Sequence, residues 1–377
     1  MKARRMGAVS RKEFLHILRD PLSLGMGIAI PVLLLVIYGY ALTMDVDEVP
    51  LVVWDQSETP QSREFVSGFA ASRYFNWKGN VRDYAELERA IDSRQAMAAL
   101  VIPADFAARV AAGRIAPAQM IVDGSDSNTA TIALGYADSV AETYAQAVTL
   151  QQARRMQGRP PDPPLEFRPR VWFNPELQSR YYIVPGIIAV MMMMIAALLT
   201  SLTVAREWER GTMEQLISTP VKGPELVLGK LLPYLAIGLL DTVIAVVMGR
   251  FLFDVPLRGS IPLLFAVAAV FLVGGLSLGI LVSTVTRNQL MASQLAALLT
   301  LLPSVLLSGF VFEISSMPVP IQAITYLIPA RYFLNVLRGI YLKGAGLDIL
   351  GGETLLLVLF SGMMVIFAVW KFRKKLV

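Results

Sequence analysis

Five charged side chains and a threonine crowd the start of one short run, REWERGTMEQLISTPV over residues 206–221: Arg206, Glu207, Glu209, Arg210, Thr212 and Glu214. No nucleophile stands beside a base here, so the chemistry on offer is ion pairing and docking. Glu207 and Glu209 are two apart and cannot share a helix face. One can pair with Arg206 or Arg210 while the other meets a partner. Thr212 is placed to cap a short helix carrying Met213, Leu216 and Ile217 on one face, with Pro220 as its stop. A docking helix and a solvated hairpin fit this run equally well.

Asp241 is the one acid well inside an apolar run. It lies eleven residues past Lys230, about 16 Å along a helix. An ionisable group at that depth in a bilayer is costly and marks a functional position by default. It reads as a lining residue of a translocation path, as a proton-linked switch, or as a group that fixes helix packing. Residues 191–194 are four consecutive methionines. Met191 and Met194 suit a lipophilic path, because methionine adapts to varied apolar shapes. Successive residues point in different directions, so packing or lipid contact accounts for most of the run. Pro329, Arg331 and Arg338 lie in an apolar stretch broken by Pro and Gly. This suits a segment dipping into one leaflet with its cations at headgroup level. Glu313 or Glu353 is placed to neutralise one of them.

Other chemistry is excluded by composition. The chain has no cysteine, so disulfides, thiolate metal sites and cysteine nucleophiles are out. Its single histidine, His16, allows no histidine metal cluster and reads as a surface residue. Residues 123–128 (DGSDSN) loosely suggest a calcium loop but lack the terminal bidentate Glu. A turn and helix cap explain them better. No catalytic residue and no metal site is expected.

Most of the framework around these residues is membrane spans. Of 377 residues, 55% are hydrophobic and only 17% charged, against about a quarter charged in soluble proteins. A span needs about 20 apolar residues. Such runs fall at 24–44, 181–204, 225–249, 261–285, 290–312 and 350–370, six in all. The first is about 31 Å long as a helix and reads as a retained span. Before it, residues 1–23 hold Phe14, Leu15, Leu18 and Leu22 near one face of an interfacial amphipathic helix from Arg11. Lys and Arg in short segments concentrate on the side of both termini and of the 205–224 loop, which places that side in the cytoplasm. The net charge of +5 is thus a topology signal. Residues 45–180 hold 14 basic and 18 acidic side chains, leaving 20 basic against 11 acidic elsewhere. The basic clusters abut spans and lack interleaved aromatics, which excludes nucleic acid.

Residues 45–180 alternate between strand and helix patterns, so a compact α/β extracytoplasmic domain is expected. Strands are expected at 50–54, 74–81, 97–102, 119–122 and 165–173, with helices at 61–72, 84–94, 104–112 and 129–156. Pro160–Pro164 (PPDPP) forms a stiff spacer. The fold class is therefore an α-helical polytopic membrane protein with six spans, an α/β domain inserted between the first and second, and a re-entrant segment at 313–349.

The run REWERGTMEQLISTPV resembles the first cytoplasmic loop of ABC-2 type permeases, the membrane subunits of ATP-binding-cassette exporters. RKEFLHILRDPLSL from Arg11 resembles their N-terminal interfacial helix. DQSETPQS from Asp55, residues 102–106 and residues 123–130 resemble the outer domain of the drug-exporter-like branch. Residues 317–344, with Pro318, Pro320, Thr325, Pro329, Arg331 and the ending RGIYLKG, resemble the family's re-entrant segment. The resemblance covers essentially the whole chain, and the loop and the last segment are its most specific parts.

The resemblance implies a division of labour. No Gly-x-x-x-x-Gly-Lys-Ser/Thr loop occurs in the sequence, so ATP and Mg would sit on separate ATPase subunits. Arg206, Glu207, Glu209, Arg210, Thr212 and Glu214 would transmit ATPase closure to the spans. Two permease chains, alike or different, would complete a translocator in the bacterial inner membrane, in contact with membrane lipid, with room for a periplasmic adaptor. The cargo would be amphipathic or lipophilic, drug-like or lipid-like; polysaccharide is the alternative within the family. A membrane receptor fits poorly with five spans after the domain. An ion-coupled transporter would need more intramembrane charge than Asp241 and an inverted repeat.

Overall fold

The computed structural model describes residues 3–20, 24–41, 48–157, 172–174, 178–213, 215 and 219–372. Residues 158–171, which hold the Pro160–Pro164 spacer and most of the expected strand at 165–173, lie outside them, as do Glu214, Leu216 and Ile217. The chain forms two compact units, Met44–Pro169 and the remainder.

In the first unit the strands are β1 (Val49–Asp55), β2 (Phe75–Asn80), β3 (Ala98–Ile102) and β4 (Gln119–Val122), in sheet order β2-β1-β3-β4. β1 runs parallel to β2 and β3, and β4 is antiparallel to β3. Alternation along the strands feeds two cores. Val49, Leu51, Val53, Ala98, Leu100 and Ile102 pack beneath one set of helices, while Val52, Ala99 and Val101 face another. The helices follow those assigned from sequence: α3 (Pro60–Ala70), α4 (Tyr84–Asp92), α5 (Phe106–Ala111) and α6 (Ser127–Gln157). Thr59 caps α3, its hydroxyl accepting from the Ser62 amide while Ser62 Oγ accepts from the Thr59 amide. Asp83 caps α4. Residues 123–128 form the expected turn, with Asp123 Oδ1 accepting from the Ser125 amide at 2.9 Å.

The second unit is helical: α1 (Ala3–Arg19), a π turn (Gly25–Ala29) running into α2 (Ile30–Ala41), α7 (Arg180–Glu209), α8 (Gly223–Phe251), α9 (Ile261–Thr286), α10 (Gln289–Leu306), α11 (Val319–Thr325), α12 (Pro329–Arg338), a π turn (Gly339–Lys343) and α13 (Leu347–Lys371). Among the described residues, five helices (α7, α8, α9, α10 and α13) are long and apolar enough to cross a membrane. The run at 24–44 is described as helical only over Leu24 to Ala41, and residues 42–47 lie outside the described set.

Two helix boundaries differ from the sequence expectation. α1 begins at Ala3, not Arg11. Its buried stripe is Val9, Glu13 and Ile17, spaced by four, while Phe14, Leu15 and Leu18 face outward. The fourth run after the sheet unit stops at Leu306 rather than 312, because Gly309 turns the chain at φ +82. Its carbonyl, freed from the helical ladder, accepts from Tyr182 Oη at 3.0 Å and from Arg338 at 3.4 Å. Non-helical backbone survives at membrane depth only when satisfied in this way.

α7 is buried along nearly its whole length, with α8, α9 and α10 around it. Small residues let backbones approach. A Cβ on Gly279 of α9 would run into Thr200 Oγ1 and the Ala197 carbonyl of α7. Polar contacts then bind the helices: Thr200 Oγ1 donates to the Leu276 carbonyl at 2.8 Å, and the Ala205 amide donates to Ser283 Oγ at 2.8 Å. Lipid offers no hydrophobic drive between helices, so close packing and such bonds must hold them.

Candidate functional site

The charged groups converge where α1, α7 and α8 meet. α1 lies close against α8 because Gly229 has no side chain. A Cβ there would come within 2.8 Å of Val9 and 3.0 Å of the Met6 carbonyl. That approach brings Glu13 onto Lys230, with Nζ–Oε1 2.7 Å. Lys230 also meets Glu207 of α7 at 2.9 Å, and Lys12 reaches Glu207 at 2.9 Å. Lys230 is 1% exposed, Glu13 3% and Glu207 7%. Buried charges persist only when paired, so Glu13, Glu207 and Lys230 hold one another in place, with exposed Lys12 at the edge. Burial pushes the Glu13 carboxyl up, but the Lys230 ammonium, with help from Lys12 and His16, leaves it below the usual glutamate value.

A second set of contacts flanks this cluster. Arg206 pairs with Asp20 at 2.7 Å, stands 3.3 Å from His16 Nε2 and donates to Gln289 at 3.2 Å. Glu209 is exposed and accepts from the Gln289 amide at 2.8 Å and from the Gln289 side chain. It therefore sits at the N-terminus of α10, where a carboxylate is favoured. Arg5 donates to the Pro220 carbonyl at 2.6 Å. Glu225 is buried and accepts from the Lys222 amide, closing the first turn of α8. Lys12, Glu13, His16, Arg206, Glu207 and Thr212 line a cavity of about 150 Å³, together with Leu199, Leu202 and Tyr234.

Each residue of the REWERGT run can now be placed. Arg206 and Glu207 point into the junction, Glu209 toward α10, and Arg210 is exposed. Gly211 ends α7 with φ +70, a conformation glycine adopts without strain. Thr212 Oγ1 donates to the Glu207 carbonyl at 3.3 Å. Trp208 carries the Arg287 guanidinium 4.4 Å above its ring. Glu207 pairs with lysines, not with Arg206 or Arg210. The reason is helical geometry: α7 turns Glu207 inward beside α8, while Arg206 points to the α1 side.

Asp241 and Met191 line one apolar cavity of about 30 Å³ among α2, α7, α8 and α9, together with Met192 and Tyr234. Met194 does not line it. Asp241 is 7% exposed, and its Oδ1 has no hydrogen-bond partner among the described residues. Met191, Met192 and Met193 are buried, so α7 packs with this run rather than showing it to lipid. In the re-entrant segment, Pro329 opens α12 at its first turn. Arg331 lies 4.0 Å above the Tyr326 ring and donates to Thr325, and Arg338 lies 3.7 Å above the Tyr182 ring. Neither Arg pairs with Glu313 or Glu353 among the described residues. Aromatic faces take that place because each tyrosine is closer at hand.

Sequence reasoning missed Glu13, Lys230, Asp20, Glu225 and Gln289. The available signal was a charge of each sign at an otherwise apolar helical position, Glu13 between Val9 and Ile17, and Lys230 between Leu226 and Tyr234. Their distance in sequence hid the pairing. Among the described residues, no group of three or more His, Asp or Glu could hold a metal.

A bundle of long apolar helices with a buried ion cluster at one end defines a polytopic membrane protein. The family described as ABC-2 family transporter protein matches residues 22–370, and the chain belongs to it. It is 37% identical over 374 residues to the "Probable multidrug ABC transporter permease YbhS" of Escherichia coli (strain K12), covering 99% of this chain and 97% of that one. It is 30% identical to "Probable multidrug ABC transporter permease YbhR" of the same organism, over 92% of each chain. "Inner membrane transport permease YhhJ" of that strain is 29% identical over 86% of this chain and 85% of its own.

Proposed function

We propose that this chain is the membrane subunit of an ATP-driven exporter that moves amphipathic or lipophilic compounds out of the cytoplasm or inner leaflet. The observation that carries the proposal is the buried trio Glu13, Glu207 and Lys230, with the exposed Lys12 pairing at its edge. It ties the interfacial helix α1, the coupling-loop end of α7 and the start of α8 into one unit. A push on the loop at 205–224 is then felt by two helices of the bundle at once. The push comes from a separate ATPase pair that holds ATP and Mg. Arg206 and Glu207 transmit it inside the junction, and Glu209, Arg210, Thr212 and Glu214 meet the ATPase or set the loop's angle.

The rest of the assembly follows from this reading. Six spans, with residues 24–44 as the first, place both termini in the cytoplasm and the sheet unit outside the inner membrane. Two permease chains form the path, and an adaptor has room to meet the outer unit. The names of the relatives support a drug-like cargo over polysaccharide. Asp241 and Met191 lie on the path, and Pro329, Arg331 and Arg338 close its outer end.

Reconstitution tests the proposal. The chain, co-expressed with a candidate ATPase subunit of the same family of exporters, is purified and placed in vesicles. ATP-dependent accumulation of a lipophilic dye is the expected result. Dye transport driven by a proton gradient with no nucleotide-hydrolysing partner would overturn it.

A further inference from the structure

The sheet unit carries an apolar groove that no part of the export reading uses. It has a volume of about 420 Å³ and lies between α5, the 113–118 loop and α6. That is within the range of small-molecule sites. Its wall is aromatic: Phe65 and Phe106 stack at 5.5 Å, and Tyr144 lies 5.0 Å from Phe65. The Tyr144 hydroxyl donates to the Gln61 carbonyl at 3.1 Å, so the ring face is what the groove is left with. Ile115 at its lip is 89% exposed, the most exposed of the large apolar side chains described. Beside it, the exposed Arg114 side chain lines the same groove and has no hydrogen-bond or ion-pair partner among the described residues. Arg109 nearby is already held by Asp105 at 2.6 Å.

We infer that this groove binds amphipathic organic anions, with a flat apolar body against Phe65, Phe106 and Tyr144 and an acidic headgroup on Arg114. The charge decides the class. Arg114 is the cation in the groove without a partner, and a guanidinium binds carboxylate, sulfonate or phosphate through paired N–H donors. The neighbouring cavity of about 190 Å³ along Pro60, Glu64 and Gln151 shares Tyr144, Val110 and Val148 with the groove. Glu64 there repels an anion, which sets the polarity: headgroup toward Arg114, ring body toward Tyr144.

The absence of cysteine makes a site-specific test direct. Ile115→Cys, as the sole thiol of the full chain in lipid nanodiscs, is reacted with a water-soluble maleimide. Two probes share one ring system: 8-anilino-1-naphthalenesulfonate, an anion, and N-phenyl-1-naphthylamine, its neutral counterpart. Both should slow modification saturably, the anion at lower concentration. Arg114→Gln should raise the anion's half-protection concentration about tenfold, the loss of one charged contact, and leave the neutral probe unchanged. Ala145→Trp, at an exposed position lining the groove, should abolish protection by both. A thiol placed instead at Glu88, on α4, should not be protected. The inference is overturned by equal protection at position 88, by no effect of Arg114→Gln on the anion, by an aromatic cation such as ethidium protecting as well as the anion, or by a thiol at position 115 that is shielded before any probe is added. None of these outcomes touches ATP-driven transport, so the export reading stands or falls separately.

Discussion

The helical unit and the sheet unit are stabilised in opposite ways. The helical unit, the more apolar of the two, buries Lys230, Glu13, Glu207, Glu225, Asp241 and a series of Ser and Thr side chains. Among the described residues of the sheet unit, Ser62 is the single buried polar side chain, and it is fully bonded within the cap of α3. In water, burial of apolar area drives folding, so an oil core suffices. Between helices in lipid that drive is absent, so polar contacts and close backbone packing must give the specificity. Charge inside the helical unit is thus a tool of assembly, whereas charge in the sheet unit stays at its surface.

The largest way to break this contrast is Lys230→Met. It leaves Glu13 and Glu207 buried with Lys12 as their remaining cation, at a cost of about 3–5 kcal/mol. Thermal inactivation of the purified full chain should fall sharply in temperature. Adding Glu13→Gln and Glu207→Gln should recover most of the loss, since an uncharged set has nothing left unpaired. A tolerated Lys230→Met alone would mean that the helical unit, like the sheet unit, rests on apolar packing.

Leu100→Ala is the matching test in the sheet unit. Leu100 is fully buried at the centre of β3, and its truncation should cost about 2–5 kcal/mol. Proteolysis within the sheet unit should rise while the helical unit remains resistant. Gly279→Ala should cost about 1–3 kcal/mol through overpacking. It should reduce the stability of the α7–α9 pair without touching any charge, read as faster hydrogen exchange in both helices. The smallest effect is pH. The Glu13 carboxyl is held below its ordinary value, so it adds stability above that value and loses it as pH falls through the lowered one. Amides of α1 should therefore keep their protection at neutral pH and lose it only in acid.

Much of this was legible in sequence because it depends on local rules. The strands of the sheet unit announced themselves by alternation at Val49–Asp55 and Ala98–Ile102. The long helices α7, α8, α9 and α13 followed from apolar length alone. What escaped depends on distant pairs. Glu13 and Lys230 are 217 positions apart, and nothing local says that they meet. The early stop of α10 likewise needed Tyr182 and Arg338 to receive the Gly309 carbonyl. The apolar Phe14, Leu15 and Leu18 face of α1 was readable from sequence and is exposed, whereas its buried face, with Glu13, needed the distant Lys230.

The proposed entry point for force from a separate ATPase is the C-terminal end of α7. Glu209 tests it most directly, because it is exposed and bonds only to Gln289 among the described residues, so its loss spares the buried cluster. The measurement is dye exported per ATP hydrolysed in vesicles carrying Glu209→Ala and its co-purified ATPase. Continued hydrolysis is expected, with export per ATP reduced about tenfold, a loss of about 1.4 kcal/mol of coupling. An unchanged ratio would contradict it.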